Sequence, residues 1–224
     1  MSTIAIGFVV TVSLTIIGVV VAQLLLQKRS SQHQAKVNAS LTACQTIFAS
    51  TYPLANESIS KDVRRGLVML LKHHIGVIEK YEPAHPMLNH LTARMVELNR
   101  IPAGRKQSRP RKNQDRQNTR ISFERIAEIM QAAVKAGFID AKNGKLAQVS
   151  AQFAAGQVAI DGARQAIRDA EHVRNYPQAM RYALHAKALC RKLPPLLAEQ
   201  LNTVVQQDIE RVEHMLQPQS KAAS

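Results

Sequence analysis

The feature that most constrains this chain is the absence of charge at its start: the first 27 residues carry no charged side chain, and Lys28 is the first. Residues 4–26 are a run of Ile, Val, Leu, Ala and Phe, interrupted only by Gly7, Gly18 and the polar Thr11, Ser13, Thr15 and Gln23. As a helix rising 1.5 Å per residue, this run covers roughly 34 Å, slightly more than the ~30 Å hydrocarbon core of a bilayer. A secretory signal peptide would carry a basic stretch, a shorter apolar core and a small-x-small cleavage site. Here nothing basic precedes the core, the core is longer, and residues 23–27 offer no such site. The reading is a retained transmembrane anchor over residues 1–27.

Lys28, Arg29 and Lys36 follow the anchor and nothing basic precedes it, so the positive-inside rule places the C-terminal side in the cytoplasm. The expected location is the cell (inner) membrane, single-pass, with the N-terminus out. The same three cations are the expected lipid headgroup contacts. Within the anchor, Gly7, Gly18 and Ala22 recur among small residues, with Gly18 and Ala22 four apart; such a face permits helix self-association and hence a homo-oligomer.

Beyond the anchor, apolar residues recur at helical spacing. Val37, Leu41, Cys44 and Phe48 step by 4-3-4. Pro53 and residues 56–60 mark a turn, with Ser58 or Ser60 as cap. Val63, Leu67, Leu70, His74, Val77 and Tyr81 form a second stripe, stopped by Glu82-Pro83-Ala84-His85-Pro86. Leu88, Leu91, Met95 and Leu98 form a third. Residues 28–101 therefore read as a juxtamembrane three-helix unit.

Residues 121–217 read as a second helical bundle, opened by Ser122 as a helix cap. Its stripes include Leu146, Val149 and Phe153 on a short helix, a further helix to Tyr176-Pro177, another to Pro194-Pro195, and a long last one from Leu197 to Leu216. Residues 218–224 read as a disordered tail. No segment alternates with period two, so no sheet is expected. The fold class is all-α: a single N-terminal transmembrane helix followed by cytoplasmic helical bundles.

The formal charge of +14 is unevenly placed. Residues 28–101 contribute +5, residues 121–224 only +3, and the 19 residues from 102 to 120 contribute +6. That segment holds Arg105, Lys106, Arg109, Arg111, Lys112, Arg116 and Arg120 against one acid, Asp115, and reads by composition as a disordered basic linker. These seven cations are the candidate contacts for a polyanion or an acidic protein. Nucleic acid binding here would be sequence-nonspecific and steeply salt-dependent, because the linker has no aromatic residue to stack on a base.

Catalytic motifs are missing. There is no Gly-x-Ser-x-Gly, no phosphate-binding glycine loop and no dinucleotide fingerprint. Glu82-Pro-Ala-His85 has the spacing of a di-iron element, but its prolines break the helix that such a pair needs. His73 and His74 are adjacent and point about 100° apart on a helix. His74 sits on an apolar stripe and reads as a satisfied interior or boundary histidine. Cys44, also on a stripe, reads as an inert buried thiol; Arg191 and Lys192 beside Cys190 carry the charge that can lower a thiol pKa, but no partner His or second Cys stands at redox spacing. No cofactor, metal or enzyme activity is expected. The function expected is that of a membrane-anchored, non-catalytic adaptor or scaffold that docks a protein partner through its helical bundle. The alternative is a membrane-tethered nucleic-acid binder that uses the basic linker.

Overall fold

A computed structural model describes residues 2–54, 59–100, 113–193 and 195–221, with the side chains of residues 2–21, 113, 196, 197 and 218–221 outside the description. The described residues form seven α-helices, a 3-10 turn and no strand. The helices are α1 (Ser2–Thr51), α2 (Lys61–Tyr81), α3 (Leu88–Arg100), α4 (Asn113–Lys135), α5 (Ala141–His172), α6 (Tyr176–Cys190) and α7 (Pro195–Lys221). The all-α class holds.

Helix α1 runs unbroken for 50 residues, so the uncharged stretch and the first bundle helix are one element rather than two joined units. Nothing between Gln27 and Val37 can interrupt it, since that segment has neither glycine nor proline. Thr42, Thr46 and Ser50 each return their hydroxyl to the carbonyl four residues back, at 2.8–3.0 Å, which satisfies these groups inside the helix. The helix ends where Pro53 withholds a backbone donor, and Leu54 in the 3-10 turn (Tyr52–Leu54) is fully buried. Among the described residues no helix is long and apolar enough to cross a membrane. The sequence-expected anchor falls almost wholly on residues whose side chains lie outside the description.

Helix α2 starts at Ser60, whose hydroxyl accepts from the Val63 N–H at 3.2 Å, and stops at Glu82-Pro83. Its buried face of Val63, Leu67, Leu70, Leu71, His74, Ile75 and Ile78 includes four of the six residues in the expected stripe. It runs antiparallel to α1, because His33 and Lys36 of α1 meet Tyr81 at the end of α2. It is antiparallel to α5 as well. At Gly66 the two helices come so close that a Cβ would sit 2.7 Å from the Ala147 Cβ.

The core lies in two parts. The first gathers α1 from Val37 onward, α2, α3, α4 and α5 as far as Ala155. The second gathers α5 from Ile160, α6 and α7. The packing thus divides the chain inside α5 and not at residues 102–120. Phe123, Ile126, Ala127, Met130 and Ala133 of α4 join the residues expected to form a separate juxtamembrane unit.

Two corrections concern α4. Residues 113–120 are helical, so the C-terminal part of the expected disordered linker is the first two turns of α4. Thr119 is buried there and donates to the Asp115 carbonyl at 2.8 Å. Ser122 is consequently a buried residue within the helix and not its cap. In α5, the two helices expected either side of residue 155 are one helix of 32 residues. Its N-cap is Asp140, whose carboxylate accepts from the Asn143 N–H at 2.9 Å.

Candidate functional site

A groove opens where α1, α2 and the end of α4 diverge, with a cavity volume of about 750 Å³. Its α1 wall is made mostly of small side chains, Ala39, Ser40, Thr42, Ala43 and Thr46, with Lys36 and Ile47, and its α4 wall of Ala132, Ala133 and Ala136 with Ile129. The small residues explain the empty space: helices at ordinary packing distance need larger side chains to fill the gap between them. The floor is α2, through Leu70, Val77 and both histidines.

The end of α4 positions the remaining wall. Gly137 takes φ +72°, a left-handed conformation that costs glycine nothing, and the Phe138 N–H donates to the Ala133 carbonyl at 2.9 Å. This turn delivers the Phe138 ring onto α2, stacked on His73 at 4.6 Å and edge-on to His74 at 5.3 Å. His74 is 8% exposed, and its Nδ1 is buried without a hydrogen-bond partner among the described residues, so at this nitrogen the ring departs from the satisfied histidine expected. Burial, with the neighbouring His73 charge second, holds its pKa below the ordinary histidine value. His74 is therefore neutral at neutral pH and keeps the groove wall apolar.

At one end of the groove, Lys36 Nζ donates to the Tyr81 hydroxyl at 3.3 Å and lies 5.1 Å from the Tyr81 ring centroid. Among the described residues the lining contains Lys36 and two histidines and no carboxylate. Any charge these residues bring to the groove is positive.

The structure distributes the sequence-predicted site residues as follows. Lys28 and Arg29 are exposed on α1, and Lys36, expected at lipid headgroups, is engaged with Tyr81 at the groove. Gly7 and Gly18 lie outside the residues with described side chains, while Ala22 is exposed. Arg105, Lys106, Arg109, Arg111 and Lys112 lie outside the described residues. Arg116 and Arg120 belong to α4, and Arg120 pairs with Glu124 at 3.4 Å one turn on. The seven cations are therefore not one uniform flexible segment.

The cysteines are both buried and free. Burial pushes the Cys44 thiol up to about 11. It also raises Cys190, against the direction in which Arg191 and Lys192 would act: those two side chains are exposed while the thiol is buried. His85 accepts from the Met87 N–H through Nδ1 at 3.1 Å, in the turn after α2. Among the described residues no cluster of three or more His, Cys, Asp or Glu is placed to hold a metal.

Sequence reasoning missed the groove because its walls come from three helices separated by up to 100 residues. The only local signals were the alanines at i, i+4 spacing on α1 and α4, which periodicity alone reads as ordinary helix packing. The chain matches no protein-family model, no curated protein and no solved structure.

Proposed function

We propose that this chain is a membrane-anchored, non-catalytic adaptor: residues 4–26 hold it in the bilayer with the C-terminal side cytoplasmic, and the helical bundle docks a protein partner. The observation that carries this reading is the unbroken passage of α1 from the uncharged stretch into the core, where Val37, Cys44 and Ile47 are buried. A bundle built directly on its anchor, without a flexible joint, is held at a set position over the membrane, as an adaptor requires. The pairing of Arg120 with Glu124 and the inclusion of Arg116 in α4 take two cations out of the segment on which the nucleic-acid alternative depends.

The test has two arms. In the first, Val10→Arg with Ile17→Arg is expected to release the chain from carbonate-washed membranes, and a reporter fused after Ser224 is expected to be active only in the cytoplasm. A chain that stays membrane-bound despite both arginines, or a reporter active outside, overturns the anchor. In the second, a stoichiometric protein partner is expected to survive replacement of all seven basic residues from Arg105 to Arg120 by Gln. Recovery of nucleic acid alone, lost with salt and with that replacement, would establish the alternative.

A further inference from the structure

The groove has a shape, a polarity and a position that together define an occupant. Its volume of about 750 Å³ falls within the 300–1,000 Å³ of ordinary small-molecule sites. Its walls are mainly alanine and larger aliphatic side chains with a few hydroxyls on α1, and among the described residues its one permanently charged group, Lys36, stands at an end beside the Tyr81 hydroxyl. Lys36 touches no carboxylate among the described residues, and its ammonium with the phenol offers two donors to one anionic group. The chain's own basic segment, residues 102–120, has the wrong sign to fill such a site.

Position adds a further argument. Lys36 stands eight residues after Lys28, about 12 Å along α1, so in an anchored chain the charged end of the groove is the end nearer the bilayer.

We infer that the groove between α1, α2 and α4 binds a single-chain amphiphile with an anionic head, of the long-chain carboxylate class, taken from the bilayer. The carboxylate sits on Lys36 and Tyr81, and the alkyl chain lies over Ala39, Ala43 and Ala132 against Leu70. The bilayer as source rests on the anchor proposed above; the groove chemistry does not.

The full chain is reconstituted in phosphatidylcholine vesicles with a diazirine-bearing hexadecanoate, irradiated, and the labelled residues are mapped by mass spectrometry. Flotation of the vesicles reads the anchor separately, so that a chain that floats without groove labelling sinks only this inference. Labelling is expected within residues 36–47 and 129–138, with at least tenfold competition by unlabelled hexadecanoate and less than twofold by hexadecyltrimethylammonium. Ala132→Trp and, independently, Ala39→Trp fill the groove from exposed positions, and each is expected to reduce that labelling at least tenfold. Labelling within residues 4–26 should stay unchanged, and the helical circular dichroism melt should stay within a few degrees. Lys36→Glu is expected to lower groove labelling about tenfold. Labelling confined to residues 4–26, groove labelling insensitive to both tryptophans, or equal competition by the cation would overturn the inference.

Discussion

The two parts of the core are built from different materials. The first is filled by large aliphatic and aromatic side chains, with Ile47, Leu54, Leu67, Leu71, Ile78 and Met130 almost wholly buried. The second is dominated by alanine: Ala163, Ala170, Ala179, Ala183 and Ala186 face one another across α5 and α6, with Ile160, Ile167 and the valines of α7 closing it. Alanine contributes little burial, so the second part gains an ionic lock instead. Asp208 of α7, 2% exposed, accepts from Arg164 of α5 at 2.6 Å and from Arg211 at 2.8 Å, and Arg211 reaches Glu171 of α5 at 3.0 Å. Where side chains are too small to specify a unique docking by shape, charge complementarity fixes which way α7 lies on α5.

Each part contains one buried cysteine, Cys44 in the first and Cys190 in the second, so the rate of thiol alkylation reads the opening of each separately. The largest expected effect is Leu67→Ala, about 3 kcal/mol of lost stability from cavity formation. It should speed Cys44 alkylation by about two orders of magnitude and Cys190 alkylation by less than tenfold. Equal acceleration of both would mean that the shared helix α5 makes the two parts one cooperative unit.

Next, Asp208→Ala should cost about 2 kcal/mol, because it leaves two arginines facing a buried site without their anion. This variant should speed Cys190 and spare Cys44; if Cys44 responds equally, the ionic lock is not confined to the second part.

The pH dependence should separate the parts again. His74 has a folded pKa below its unfolded value of 6.5. The unfolded chain therefore binds the extra proton first as pH falls, and the first part should lose stability from about pH 6.5 downward. His74→Phe should remove the acid-side rise in opening, so that Cys44 alkylation corrected for its thiolate fraction becomes flat between pH 5 and 7, while Cys190 keeps its profile; an unchanged Cys44 profile would remove His74 as the source.

The smallest effect is a gain. Arg174, between α5 and α6, is held at φ +56°, a left-handed conformation that favours glycine. Arg174→Gly should stabilise the second part by about 1 kcal/mol, seen as slower Cys190 alkylation. A loss would show that the arginine side chain contributes more than its backbone costs.

Some of this architecture was legible in the residues. Four of the six residues of the α2 stripe, a cap at one of the two expected serines and the stop at Glu82-Pro83 are where periodicity and proline chemistry put them, because large apolar residues on one face leave a single way to bury it. On the first half of α5 the same reasoning chose the wrong face. Leu146 and Val149 stand 47% and 41% exposed, while Gly144, Ala147, Ala151 and Ala155 are buried. Close approach to α2 and α4 selects small side chains there, and an alanine stripe is invisible to a search for bulk. The start of α4 was missed for a related reason: its first turns are polar, and only the burial of Thr119 and Ser122 against other helices reveals them as structural. The groove needed tertiary structure altogether.

The unbroken α1 also acts as a ruler. The 24 residues from Lys28 to Thr51 set the far end of the first part about 36 Å above the end of the uncharged stretch. Ser150 of α5 meets Asp62 near that level, so the half of α5 beyond Ala155 carries the alanine-rich part roughly 25 Å farther out. In an anchored chain the two parts would therefore work at different altitudes: the groove low, within reach of molecules leaving the bilayer, and the ion-locked helices at the tip, where they meet what diffuses in from solution.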